Sequence, residues 1–348
     1  MVNLMEQNKR TRLNKLLFHP KFTDTIADIN KLNVRLPKNP VNEEIDFQSH
    51  SFPPDGELVT NIEEIRAYPL DAHRGMETIS NDRAIVAYDE SINRYSTLEG
   101  ESFLTSHSLI VMGLDDYIPV NLITFYFYTR SKNIAEDSIS IRYSDSPEVQ
   151  SKKDYINDKI DFLIKFVPEH SILLIDGPLI GGDYYVLMIS AINRFLKKDI
   201  IPIFFVKNST SNLVTDNLKE YKYKFNSDMH WAYKFLKVGE RTNLFKYVDR
   251  KNKANAKIFC YIKAYDLSPQ RIEFHSETYR TYKSLISSIL DLIYYLILVQ
   301  GDTKNPQARP IAIAEKYARE TLKLIDINKI IKKSNLVPTM NEGRGFAW

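Results

Sequence analysis

The stretch Ser171–Ile180, Ser-Ile-Leu-Leu-Ile-Asp-Gly-Pro-Leu-Ile, constrains this chain more than any other. Apolar residues run without a break from Ile172 to Ile175 and are followed by Asp176, Gly177 and Pro178, which reads as a buried strand stopping at a carboxylate. Such runs belong to the parallel part of an α/β sheet, where helices cover both faces, and ligands gather beyond the strand ends. Asp-Gly-Pro is also ordinary turn chemistry. The acid therefore gains meaning only from its surroundings.

A helix is expected from about Asp183 to Lys197, with Val186, Leu187, Ile189 and Ile192 as its apolar positions, then a buried strand Ile200–Val206 leading into Lys207-Asn208-Ser209-Thr210. Upstream, Ile156, Ile160, Leu163 and Phe166 give Lys152–Phe166 a helical period that Pro168 closes, and Asp154, Asp158 and Asp161 share another face. Strand, helix, strand implies right-handed crossovers and a sheet with a parallel half. Arg83–Tyr88, followed by Asp89-Glu90-Ser91, repeats the layout of apolar strand and then acid. Ser108–Met112, Asn121–Thr129 and Ser138–Tyr143 read as its antiparallel neighbours. Later come a helix Asn226–Leu236, strands Asn243–Val248, Lys257–Tyr265 and Arg271–Phe274, a long helix Lys283–Gln300, and a helix begun by Pro310 and running to about Leu324.

With 43% apolar residues in 348, the chain can fill a real core. A formal charge of +3 neither demands nor excludes a nucleic-acid partner. The single cysteine, Cys260, rules out an intrachain disulfide or a Cys-type zinc cluster and suits a reducing cytoplasm. The start lacks the apolar core of a signal peptide. Leu285–Val299, interrupted by Ser287, Ser288 and Asp291, reads as a buried helix, so no membrane is expected. Val2–Leu17 has the pattern of a short amphipathic helix, and Phe22–Asp82, rich in proline, that of loops and short elements. The expected organisation is an N-terminal extension over 1–82 that could contact a dimer partner, a main domain over 83–330, and a C-terminal tail over 331–348.

The order of these elements is that of an α/β, ribonuclease H-like mixed sheet flanked by helices, here with an N-terminal extension and inserted β/α elements. In that architecture carboxylates from two strands and flanking helices converge on divalent ions. Carboxylates suit Mg²⁺ and Mn²⁺ because hard cations take oxygen ligands and relieve the repulsion among clustered acids. A pair of such ions activates water and stabilises the leaving oxygen of a phosphodiester.

Four segments add a resemblance: Ile172–Leu179, Val206–Ser211 (Val-Lys-Asn-Ser-Thr-Ser), Pro269–Phe274 (Pro-Gln-Arg-Ile-Glu-Phe) and Arg309–Ala318 (Arg-Pro-Ile-Ala-Ile-Ala-Glu-Lys-Tyr-Ala). In this order they resemble the NurA family of DNA-end-processing nucleases. The resemblance implies a ribonuclease H-like fold, a homodimer, Mn²⁺ or Mg²⁺ in a two-metal site, and a role beside a HerA-like hexameric ATPase in DNA end resection and double-strand break repair. It implies that Asp89 and Asp176 are the strand acids, that Asp158 is the helix acid with Asp154 in reserve, and that Lys207 meets a phosphate. Arg271 and Glu273 match a family Arg-x-Glu element, for which a cross-strand ion pair is the plainer explanation.

The departures matter. Counting back from Asp176 lands between Asp158 and Lys159, and if Lys159 is the equivalent position a ligand has been lost. Glu90 follows Asp89 where the family has glycine. Gln307 and Glu315 stand where the family has tyrosine and histidine, and Glu315 could still bind a hard metal. Two readings follow: a metal-dependent deoxyribonuclease with Asp89, Asp158, Asp176 and Glu315 on metal and Lys207 on phosphate, or a nuclease-fold subunit that no longer cuts and binds DNA or docks on the ATPase. His107, His170, His230 and His275 show no metal-ligand spacing. The series Tyr221, Tyr223, Phe225, Trp231, Tyr233 and Phe235, interleaved with lysines, is either a single-strand stacking platform or a wall of the core.

Overall fold

A computed structural model describes residues 15–31, 58–79, 83–113, 116–136, 140–181, 184–217, 224–249, 252 and 255–340. Among them thirteen strands join one mixed sheet. In chain order these are β1 Lys15–Phe18, β2 Val59–Asn61, β3 Tyr68–Pro69, β4 Ala84–Thr97, β5 Gly100–Met112, β6 Tyr117–Thr129, β7 Ile141–Tyr143, β8 Ser171–Asp176, β9 Ile200–Val206, β10 Glu240–Arg241, β11 Phe245–Val248, β12 Ala256–Lys263 and β13 Gln270–His275. The main path across the sheet is β1-β6-β5-β4-β8-β9-β13-β12-β10-β3. The helices that position the site are α1 Phe22–Lys31, α2 Ala72–Ile79, α3 Pro147–Phe166, α4 Tyr185–Lys197, α5 Asp228–Phe235, α6 Ile286–Gln300 and α7 Arg309–Leu322.

The centre is parallel, β4 beside β8 and β8 beside β9, flanked by antiparallel strands. Alternation along β8 sends Leu173 and Ile175 into an apolar layer with Ile160 and Leu163 of α3 and Met188 and Ile192 of α4. Ile172 and Leu174 enter a second layer with Leu290 and Ile293 of α6 and Ile311 and Ala314 of α7. Both faces are thus covered, which is why β8 and β9 carry continuous apolar runs.

The helical segment Lys283–Gln300 has a mean hydropathy of 1.4 over 18 residues, long and apolar enough to cross a membrane. Ile289, Leu290, Leu292, Ile293, Leu296 and Ile297 are all buried against the sheet, as expected of a core helix, and each contributes about 1.5–3 kcal/mol by leaving water. Its one acid, Asp291, is buried and is held by the Arg74 guanidinium and the Asp71 amide, which seats α2 on α6. Gly75 permits that close approach, since a Cβ there would lie 2.2 Å from the Asp291 carbonyl oxygen.

Three expectations are corrected. β4 does not stop before Asp89 but continues to Thr97, because β5 pairs along its whole length while β8 pairs only from Ala84 to Tyr88. The amphipathic helix expected over Val2–Leu17 lies mostly outside the described residues, and its end, Lys15–Phe18, is a strand paired in parallel with β6. α3 starts at Pro147, earlier than its apolar period suggests, with the proline in the first turn. Cys260 is a buried core residue, as expected. Trp231 stacks on Phe235 at 5.2 Å inside the core, whereas Tyr221 and Tyr223 lie outside the described residues.

Candidate active site

The parallel pairing of β4 with β8 ends at Tyr88 opposite Ile175, and the next residue on each strand is an acid, Asp89 and Asp176. Adjacent strands are about 4.8 Å apart, so the two carboxylates leave the sheet side by side. Alternation puts them on the face of Ala87 and Leu174, which is the face covered by α7. The backbone turns away at once, because Gly177 adopts φ +104, a conformation open to glycine, and its amide donates to the Phe205 carbonyl at 2.8 Å.

β9 ends beside them. Its next residue, Lys207, points to the same face and sets its Nζ 2.6 Å from Asp176 Oδ2 and 3.4 Å from Glu315 Oε2 on α7. Gln307 Nε2 donates to the same Glu315 oxygen at 3.0 Å, and Arg319, one helical turn further along, pairs with Oε1. The Glu315 carboxyl is held below its ordinary range, since Gln307, Lys207 and Arg319 together outweigh the burial that pushes it up. Asp89 behaves in the opposite way. Burial, the Asp176 charge and the Glu90 charge raise its carboxyl to about 7, and the Lys207 ammonium only partly offsets them. The Lys207 ammonium is itself stabilised, because Asp176, Glu315 and Asp89 outweigh its desolvation.

The structure therefore brings together Asp89, Asp176, Lys207 and Glu315, and leaves Asp158 apart. Asp158 faces β6, where Tyr126 Oη donates to Oδ2 at 2.8 Å. Asp154 lies near by, bonded by Tyr128 Oη at 2.7 Å and paired with Arg142. The reason is geometric: α3 covers the sheet face opposite the acid pair. The α3 side chains nearest the strand tips are Tyr155 and Lys159, which the sequence reading did not assign to the site. Both meet Glu90, Tyr155 through its hydroxyl and Lys159 through an ammonium 3.3 Å from Oε2. Behind them His107 Nδ1 bonds Tyr88 Oη at 2.7 Å and its ring stacks on Tyr155. A signal for this was present, since Tyr155, Lys159 and Phe162 fall at i, i+4 and i+7, the spacing of a helix face turned to the sheet.

Among the described residues, no three acid, histidine or cysteine side chains stand close enough to share a metal ion as they are. The donor chemistry nonetheless fits a hard dication. Asp89 and Asp176 offer only carboxylate oxygens, the negative charges of Asp176 and Glu90 add to the burial that raises Asp89, and the ammonium of Lys207 already stands where a cation is wanted.

A mixed sheet with acids where the pairing of its central parallel strands ends is a ribonuclease H-like α/β fold of the kind nucleases use. Residues 163–320 match the NurA domain. Among solved structures the chain is similar to the NurA nuclease of Sulfolobus solfataricus, with a TM-score of 0.50 and 10% identity, covering 78% of this chain and 88% of that one. Lower similarity is found to endonuclease V of Bacillus subtilis, with a TM-score of 0.38, 12% identity and 73% and 90% coverage. The values for Ciona intestinalis endonuclease V in complex with an inosine-containing 24mer DNA are 0.37, 17%, 71% and 89%. No curated protein sequence matches.

Proposed function

We propose that the chain hydrolyses phosphodiester bonds at DNA ends with Mn²⁺ or Mg²⁺, as a homodimer beside a HerA-like hexameric ATPase in the resection of broken DNA. The observation that carries this is the emergence of Asp89 and Asp176 side by side from paired parallel strands, with Lys207 against them. Asp89 and Asp176 would hold the ion, with Glu315 across the cleft. When bound, such an ion supplies a more acidic water and draws charge from the phosphate oxygens. The chain's own groups do the rest. Lys207, released from Asp176, neutralises a phosphate oxygen, and Gln307 and Arg319 fix the direction of the Glu315 carboxylate. The dimer, the ATPase and the repair setting enter through the resemblance to the NurA family, and the single buried thiol suits a reducing cytoplasm.

A second reading has its own support. Lys159 is bound to Glu90 on the opposite face of β4, Gln307 and Glu315 bond each other, and Asp158 is engaged elsewhere, which supports the reading of a nuclease fold that has stopped cutting and is kept to bind DNA. End-labelled DNA incubated with Mn²⁺ and either the wild type or Asp176→Asn separates the two. Cutting by the wild type that the variant lacks supports the nuclease. DNA binding without cutting by either protein supports the silent subunit. Equal cutting by both overturns the assignment of this site.

A further inference from the structure

Asp176 and Lys207 stand where two neighbouring strands pass into separate loops, with their charged atoms 2.6 Å apart. Behind them, on the opposite face of the sheet, lies a buried group of charges that the site described above does not use. Glu273 of β13 is opposite Phe204 and Phe259, within the layer under α4 and α5. It is fully buried. Its Oε1 accepts from Lys257 Nζ at 2.5 Å and from Arg271 Nε at 2.8 Å. Its Oε2 accepts from the backbone N–H of Leu179 at 2.8 Å, at the end of the turn that begins at Asp176. Arg271 Nη1 in turn donates to Ser211 Oγ at 2.6 Å and to Ser209 Oγ at 3.2 Å, in the loop that begins at Lys207. Each active-site loop thus starts on one face with its charged side chain and is tied on the other face to the same carboxylate–guanidinium pair.

We infer that Arg271 and Glu273, supported by Lys257, are positioning residues that set the separation of Asp176 and Lys207, and that this explains the Arg-x-Glu spacing more fully than a stray ion pair does. The inference rests on the nuclease reading of the site. The charges meet one another through Glu273 Oε1, but Oε2 and Arg271 Nη1 find their partners in backbone and hydroxyl groups of the loops, so movement of either loop would leave a buried polar atom unmatched. The brace therefore resists any drift of Lys207 relative to Asp176, and drift of about 1 Å at a reacting centre costs on the order of 10²-fold in rate. The two serines make the inference testable without removing a buried charge.

The experiment compares the wild type, Ser209→Ala/Ser211→Ala, Glu273→Gln and Glu273→Met. It measures turnover and KM on end-labelled DNA with Mn²⁺, thermal midpoint, and amide exchange over residues 177–179 and 208–211. The double serine variant, which removes both hydroxyl partners of Arg271 Nη1, is expected to lower the midpoint by only about 2–10 °C and to keep a KM within about threefold while losing about 10–100-fold in turnover, with faster exchange over 208–211. Glu273→Gln, which retains a carbonyl to accept from Leu179, is expected to keep more turnover and slower exchange over 177–179 than Glu273→Met. Wild-type turnover together with unchanged exchange in the serine variant overturns the brace. If the wild type does not cut DNA, the nuclease reading fails by itself, and the exchange measurements alone decide whether the brace exists.

Discussion

Two acidic clusters lie on opposite faces of one sheet, and they are compensated in different ways. Asp158 and Asp154 are met by the hydroxyls of Tyr126 and Tyr128 and by Arg142, whose guanidinium also lies 3.8 Å from the centre of the Tyr126 ring. Asp89 accepts from the Glu90 amide at 2.8 Å, but beyond that it stands beside the like charge of Asp176 and shares Lys207 with it. Burial raises the carboxyl of both Asp158, to about 6, and Asp89, to about 7. What differs is the next cause. For Asp158 it is a hydrogen bond that favours the charged form, and for Asp89 it is a second negative charge. A cluster that satisfies itself serves structure, whereas one left with surplus charge is ready for a cation or a proton.

The largest effect that would break this contrast is on cutting. Asp176→Asn should lower the rate on end-labelled DNA with Mn²⁺ by on the order of 10²–10³-fold, and Asp158→Asn by less than about threefold. Comparable losses would mean that α3 contributes to the chemistry after all. Lys207→Ala should cost about 10²-fold in turnover, while Arg142→Ala should leave turnover alone and lower the thermal midpoint.

A third test uses stability and pH. Between its ordinary value near 4 and its folded value of about 7, Asp89 keeps a proton in the folded chain that the unfolded chain has lost. Folding stability therefore falls as pH rises through that window. Asp89→Asn should remove the penalty and stabilise the metal-free protein by up to about 4 kcal/mol above pH 7, with no gain below pH 4. Urea midpoints across this range check it, and Asp158→Asn should show a smaller gain because its carboxyl is raised less, to about 6. The smallest effect expected is that of Tyr126→Phe, a loss of about 1 kcal/mol in denaturant unfolding with cutting unchanged.

The parts of the fold legible in the sequence are those in which local pattern and burial agree. β8 and β9 are covered on both faces, so Ile172–Ile175 and Ile200–Val206 announce themselves and the residues just past them, Asp176 and Lys207, can be picked out. Asp89 was found for a partly mistaken reason: its strand does not end there, but its parallel partner does. Asp158 shows the limit. Successive residues of a helix differ by about 100° in direction, so a count uncertain by one residue cannot choose between Asp158 and Lys159, and only the face of the sheet that α3 covers decides. The short strands β2 and β3 were unreadable because two or three residues acquire strand geometry only by pairing with β11 and β10, which lie far along the chain.

The chain enters the sheet at both of its sides before the central strands are made. β1 lies against β6, while β2 and β3 close the far side through β11 and β10. A fragment trimmed to 163–320 would therefore begin after Asp89 and bare the flank of β8 where β4 belongs, leaving an unpaired apolar strand open to any passing chain. For this protein the stretch that matches the NurA domain is smaller than the smallest piece that could be expected to stay in solution.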